Sequence, residues 1–436
     1  MQRAALALLC ACACACSSSS ASSSSDSVRV RVLRGGLPRP GALVVFHDAN
    51  GAVIETQEVP NTGTVTSTSG AAEVTVAVPI DERQAILVTY FDVAPNDHLV
   101  VDTKRSALAG TPPLGPAVRS IRVAAPGEVP GAKKYAVDAF GGTNACSGFA
   151  DGWTDVRIDL AEGCFDGPRT NLLARAFAET GSPKALRYAP AKKVTLQAPG
   201  ATPYAIPGPW LDPMQISVRV ENAPAGLPLP VLSLLGIIEN KEVGIAEQGE
   251  PGTTTFEVPP AFYDEHVVTV RGGLAGLGSR YQVLDRATVA KDVRLDLAGL
   301  ATIGVNLDLA DPVRPVARIS GAQGTVGGSV AFAWDGFPKS GKWVLVARAD
   351  RVEMKAPELP AELRDWLPKG TSDEVRRAVR GYVARYVTGG IYKDYTVMKR
   401  QAVFADVALL IGDELLSYAA PPKGQTRMSL FEGEPK

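Results

Sequence analysis

Apolar positions along this chain recur mostly with a period of two, and turn residues separate the recurrences. Val28-Arg29-Val30-Arg31-Val32 alternates apolar and charged side chains, as a strand with one buried face does. Segment 42–46 is apolar throughout and reads as a strand covered on both faces. Asp48-Ala49-Asn50-Gly51 follows as a hairpin turn, because Asn-Gly supplies positive φ at little cost. The same reading predicts strands at 53–58, 72–78, 85–91, 98–103, 120–124, 135–140, 154–160, 172–177 and 193–197. It continues with 215–221, 231–238, 253–258, 266–271, 281–285, 293–297, 303–309, 316–320, 329–334 and 342–348.

Helical spacing enters only near the end. Thr371-Ser372-Asp373-Glu374 fits a capping box, and Val375, Val379, Tyr382, Val383 and Tyr386 then recur at helical spacing. The pattern predicts an inserted amphipathic helix ended by Gly389-Gly390, with a shorter helix at 359–367. Strands at 402–410 and 414–418 and a loose tail over 421–436 complete the expectation. The fold class is therefore mainly β: three or four β-sandwich modules in series, Ig-like or transthyretin-like, the last with a helical insertion.

Pro- and Gly-rich stretches place the boundaries. A Ser-rich tether covers 17–27, a first sandwich 28–105, and a linker 106–130. A small β domain with the two later cysteines spans 131–198, an Ig-like sandwich 214–300, and a last sandwich 301–420. With 436 residues, 45% hydrophobic and 21% charged, the chain is long enough for several cores and has the balance of a globular protein. Its 43 glycines and 33 prolines suit short strands joined by turns.

The first residues set the compartment. Met1-Gln2-Arg3 is a short positive start, 4–15 is an apolar run too short to span a bilayer, and Cys10, Cys12, Cys14 and Cys16 alternate with alanine before the serines. This leader resembles the signal of bacterial lipoproteins, in which a peptidase cuts before a cysteine that then carries diacylglycerol. The resemblance implies export and a lipid anchor in the cell envelope, at the outer membrane, on Cys16 or alternatively on Cys12. Val30 to Leu33, Leu37-Pro38-Arg39-Pro40-Gly41-Ala42, Val44-Val45-Phe46 and the Asp48–Gly51 turn together resemble the carboxypeptidase-regulatory-like domain. That family is a transthyretin-like sandwich used as an accessory or spacer in exported bacterial proteins. The chain departs from it at 62–70, where a longer Thr/Ser-rich stretch replaces a short turn.

Once the leader is set aside, Cys146 and Cys164 are the cysteines that remain, and in an exported protein such a pair reads as a disulfide. Closing a loop of about 19 residues would stabilise the fold by roughly 3 kcal/mol. The reading puts Cys146 in a long hairpin loop over 141–153.

Candidate chemistry is sparse. The three histidines, His47, His98 and His266, lie far apart and read as strand-edge surface residues; no zinc spacing exists. Asp264-Glu265-His266 could hold a cation weakly, but reads better as a loop corner. Glu358, Glu362 and Asp365 offer carboxylate pairs for glycoside chemistry, and carboxylates at a helix start are more often caps. Trp334, Phe337 and Trp343 could form a stacking platform, and Trp343 and Trp366 with converging carboxylates could line a pocket, though core packing is the commoner role. No phosphate-loop or nucleophile-elbow glycine pattern appears. A net charge of −1 without a basic cluster argues against nucleic acid. The expectation is a protein with no catalytic residue, metal or cofactor, partnered by a membrane through its anchor and by an envelope protein or glycan. The alternative is an exported hydrolase or carbohydrate-binding accessory with its site in the last domain.

Overall fold

The computed structural model describes residues 26–434, apart from 35–36, 104–116, 142–144, 162–163, 180–183, 197–201, 224–230, 240, 249–253, 274–278, 337–338, 391 and 401–422. The protein is mainly β and consists of four sandwich units, three of which repeat one strand plan. The first holds β1 (Val28–Arg34), β2 (Leu37–Pro38), β3 (Leu43–His47), β4 (Val53–Glu58), β5 (Thr64–Ser67), β6 (Glu73–Pro79), β7 (Gln84–Tyr90) and β8 (His98–Asp102). Its larger sheet runs β4-β3-β6-β7; in the smaller, β1 pairs antiparallel with β5 and parallel with β8. In β1 the valines Val28, Val30 and Val32 are buried while Arg29 and Arg31 face water, the outcome the alternation requires.

The second unit has β9 (Arg119–Ala124), β10 (Lys134–Phe140), β11 (Ala145–Asp151), β12 (Val156–Leu160), β13 (Arg169–Phe177), β14 (Arg187–Thr195) and β15 (Tyr204–Ala205). The third has β16 (Met214–Glu221), β17 (Val231–Ile238), β18 (Lys241–Gln248), β19 (Thr255–Val258), β20 (Glu265–Gly273), β21 (Ser279–Thr288) and β22 (Asp292–Asp296). Both copy the first: larger sheets β11-β10-β13-β14 and β18-β17-β20-β21, smaller sheets β12-β9-β15 and β19-β16-β22, each with its last strand parallel to its first.

The fourth unit varies the plan. It contains β23 (Gly304–Asp308), β24 (Val316–Ser320), β25 (Gly327–Trp334), β26 (Ser340–Arg348), β27 (Glu353–Lys355), α1 (Ala361–Arg364), α2 (Ser372–Ala378), β28 (Val379–Val387), α3 (Tyr395–Lys399) and β29 (Gly424–Gly433). Its larger sheet β26-β25-β28-β29 keeps the order, but beside β24 the parallel strand is replaced by β23, which precedes it and runs antiparallel.

Three of the larger sheets are joined edge to edge. β21 pairs antiparallel with β29, and β26 pairs parallel with β7, making one twelve-stranded sheet in which the fourth unit lies between the third and the first. The join explains the double burial of β3. Val44 and Phe46 pack against Val28, Val30 and Val32 of the first unit's own small sheet. Val45 packs on the other face with Leu307, Ala317 and Met354 from the fourth unit. Each such valine contributes about 1.5–3 kcal/mol of apolar burial. Gly341 sits opposite Trp334, where an added Cβ would lie 2.2 Å from the indole; a bare backbone there is what lets the ring lie flat on the sheet.

Several expectations are corrected. The capping box at Thr371 is present, but α2 stops at Ala378 and Val379, Tyr382, Val383 and Tyr386 belong to strand β28. A run of β-branched and aromatic residues with Gly381 inside it favours the extended form once sheet neighbours exist on both sides. The expected loose tail contains β29, a ten-residue strand between β21 and β28. Cys146 lies in strand β11 rather than in a hairpin loop. The short strand expected at 120–124 within the linker 106–130 is β9, and it belongs to the second unit as the middle strand of its small sheet. Strand β18 and, within 62–70, strand β5 had no counterpart in the pattern. The expected strands at 402–410 and 414–418 lie outside the described residues, as do the leader with Cys16 and Cys12 and most of the tether. No described helix is long and apolar enough to cross a membrane.

Candidate functional site

A connected set of buried polar groups lies where the first and fourth units meet, along the β7–β26 pairing. It begins at β3, whose bulge between Phe46 and His47 leaves His47 opposite Val53, at the start of the hairpin turn. Asp48 closes that turn, its Oδ1 accepting from the Asn50 and Ala52 amides. The hairpin then docks on the fourth unit, where Glu358 N–H donates to the Gly51 carbonyl and Arg314 Nη2 to that of Asn50.

His47 is buried, contrary to the surface position expected for it. Its Nε2 lies 3.0 Å from Thr75 Oγ1, which is 2.9 Å from Thr89 Oγ1; Trp343 Nε1 of the fourth unit donates to Thr89 at 2.9 Å. A row of polar side chains thus crosses the join inside an otherwise apolar layer. Burial pushes the imidazole of His47 down to about 4, so it stays neutral near pH 7. Glu73, its register partner on β6, is pushed up to about 7 by burial against the opposing pull of Arg351.

Arg351 gathers the rim of the same join. Its guanidinium reaches Glu73 at 2.9 Å and Asp92 at 3.1 Å, and lies 4.2 Å from the centre of the Phe91 ring. Below it, α3 places two side chains into the first unit. Tyr395 Oη donates to the carbonyls of Phe91 and Val346, one from each unit. Lys399 forms an ion pair with Asp97 in which both side chains are almost wholly buried, and its Nζ also donates to the Asp92 carbonyl. Asp97 is further held by the Ala94 amide at 2.8 Å. Burial pulls the Lys399 ammonium below its ordinary value, with Asp97 opposing. Trp343, Arg351, Tyr395 and Lys399 of the fourth unit each bond to the first unit, so the arrangement is chemically a clamp.

The other candidate residues do not converge. Trp334 and Trp343 are core residues packed with Phe332, which removes them from any stacking surface; Phe337 lies outside the described residues. Trp366 is half-buried with Lys339 over its ring. Glu358 pairs with Arg314, Asp365 with Lys369, and Glu362 lies in the first turn of α1. Asp264 faces Lys192, and Glu265 pairs with Arg286 on one face of the sheet. His266 is buried on the opposite face, its ring nitrogens without a hydrogen-bond partner among the described residues. Among the described residues no cluster of three His, Cys, Asp or Glu stands close enough to hold a metal ion.

Cys146 and Cys164 are bonded to each other, with Cα atoms 5.7 Å apart. The bridge ties β11 to the turn after β12 and lies in the core of the second unit with Val137, Ile158 and Leu172. Nothing in the local sequence marked the junction cluster, because its members come from segments about 250–300 positions apart. The one local sign was charge on short apolar elements, as in Lys399 within 395–399.

No family model matches this chain, and no curated protein matches it. Among solved structures, the Bacillus anthracis TIE protein is similar at 10% identity, over 62% of this chain and 49% of that one, with a TM-score of 0.14. The FN1-FN3 domains of chicken CNTN1 are similar at 10% identity, over 59% and 83%, with a TM-score of 0.12. This chain spans about half the length of the Bacillus anthracis protein, and at these scores neither likeness bears on its function.

Proposed function

We propose that this chain is a non-catalytic, lipid-anchored protein of the cell envelope, held at the outer membrane through Cys16 or, alternatively, Cys12. Its four-unit body acts as a surface spacer, adhesion or binding module that presents a rigid face to an envelope protein or glycan. The leader and the serine tether support the anchor, and the turn residues at 37–51 support kinship with exported accessory sandwiches. The observation that carries the non-catalytic reading is the clamp between the first and fourth units. Its buried ionisable side chains are engaged in holding sheets together, which suits a body built for shape.

The test has two arms. Labelled palmitate is expected to enter the protein and to be lost on C16S, or on C12S if the cut falls earlier; incorporation surviving replacement of all four leader cysteines refutes the anchor. Purified protein is expected to leave glycan, peptide and ester substrates unchanged. Turnover abolished by a single acidic or hydroxyl substitution refutes the non-catalytic role and favours the hydrolase alternative.

A further inference from the structure

We propose that the outer edge of β11 is a pairing edge for a second copy of this chain, the two β11 strands running antiparallel about a two-fold axis at Gly148. The chain itself supplies the rule. The larger sheets of the first, third and fourth units are joined edge to edge, and the β21–β29 join pairs equivalent strands antiparallel. Among the described residues the larger sheet of the second unit stands alone as four strands.

Its two edges differ. β14 carries Pro190, which has no amide to donate, and the chain folds back on that edge at Leu211, which exchanges both backbone hydrogen bonds with Tyr188. That edge is closed. β11 has no proline, lysine or arginine, is built of small residues apart from Phe149, and among the described residues pairs with β10 alone. Natural proteins blunt free edges with charge, proline or bulges; here Asp151 at the strand end is the one charge. Beside this edge stand the most exposed aromatic side chains among the described residues, Phe149 at 58% and Trp153 at 51%.

Antiparallel pairing centred on Gly148 is self-complementary. Phe149 falls opposite the second copy's Ser147, and Asp151 opposite Ala145, so no like charges face each other. The inward-pointing Cys146 and Ala150 meet across the axis with their side chains already in each sandwich core. The two Phe149 rings become diagonal neighbours about 7–8 Å apart at Cβ, within aromatic reach. Lys134, 4.9 Å from the Phe149 ring centre, flanks each ring.

Sedimentation velocity on the full chain with its leader cysteines changed to serine tests this. A dimer is expected below about 100 μM, a concentration range in which weak specific pairs are visible. F149E, a change at an exposed position, is expected to weaken it at least tenfold while near-ultraviolet circular dichroism stays unchanged. V352E removes an apolar side chain of similar exposure on the fourth unit and is expected to leave the dimer intact. A monomer throughout, a dimer indifferent to F149E, or equal weakening by both variants overturns the proposal.

Discussion

Replacing Lys399 by methionine should open the contact between the first and fourth units. The ammonium sits on Asp97 with 2% and 5% of the two side chains exposed, so its removal leaves a carboxylate in a dry site with only the Ala94 amide to answer it. Removing one partner of a buried pair costs about 3–5 kcal/mol, because the remaining charge is uncompensated. At 1.4 kcal/mol per tenfold, the opening equilibrium of α3 and the 92–97 loop should rise by roughly 10² to 10⁴. Hydrogen exchange reads this directly: the amides of Arg29 and Ala94 should lose protection by that factor, while Val137 and Leu172 in the second unit keep theirs. The double change Lys399→Met with Asp97→Asn removes the orphaned charge and should recover most of the loss. If Lys399→Met costs under about 1 kcal/mol, or if the double variant opens as readily as the single, the uncompensated-charge reasoning fails.

The pH dependence of the same region has two opposed parts. His47 is held down to about 4 from 6.5, so the stability it allows is complete above pH 6.5 and is lost as pH falls toward 4. Glu73 is held up to about 7 from 4.5, so its contribution is complete below pH 4.5 and is lost as pH rises through 7. Between pH 4.5 and 6.5 the slopes oppose; urea midpoints should fall with rising pH there in H47Q and fall with acid in E73Q, and parallel profiles would contradict this. Gly236→Ala puts a Cβ 2.2 Å from the Tyr263 ring and should destabilise the third unit by about 1–3 kcal/mol, seen as a lower melting temperature. A chain ending at Lys423 lacks β29, leaves the β21 and β28 edges bare, and should be insoluble; a soluble product with native circular dichroism would refute that strand's role.

Most strands whose partners are neighbours in sequence were legible, β11 and β18 excepted. The hairpin at 43–58 follows from an apolar run and its Asn-Gly turn, the strands at 329–334 and 342–348 were read within β25 and β26, and Val53–Glu58 was read to the residue. Two strands of the large sheet's middle were not. Val379–Val387 carries apolar side chains at spacings that fit either a helix or a strand covered on both faces, and only sheet neighbours on each side decide between them. Gly424–Gly433 mixes polar and apolar residues because it bridges two units, so it lacks the apolar density of a local core strand. His47 reads as surface by its place at a strand end, and is buried because another unit closes over that end. The clamp was hidden for the same reason: Asp97 and Lys399 are unremarkable charges until the fold brings them together.

The order of the units in the large sheet sets a timetable for biosynthesis. The β7 edge is made early, yet the residues that cover it arrive far later, as the separation of 256 positions between Asp92 and Arg348 shows. At about 5–20 residues per second, a ribosome leaves that apolar border uncovered for roughly 10–50 s. A nascent chain in that interval is an open invitation to neighbouring strands, and covering that border is the last step by which this molecule reaches its native state.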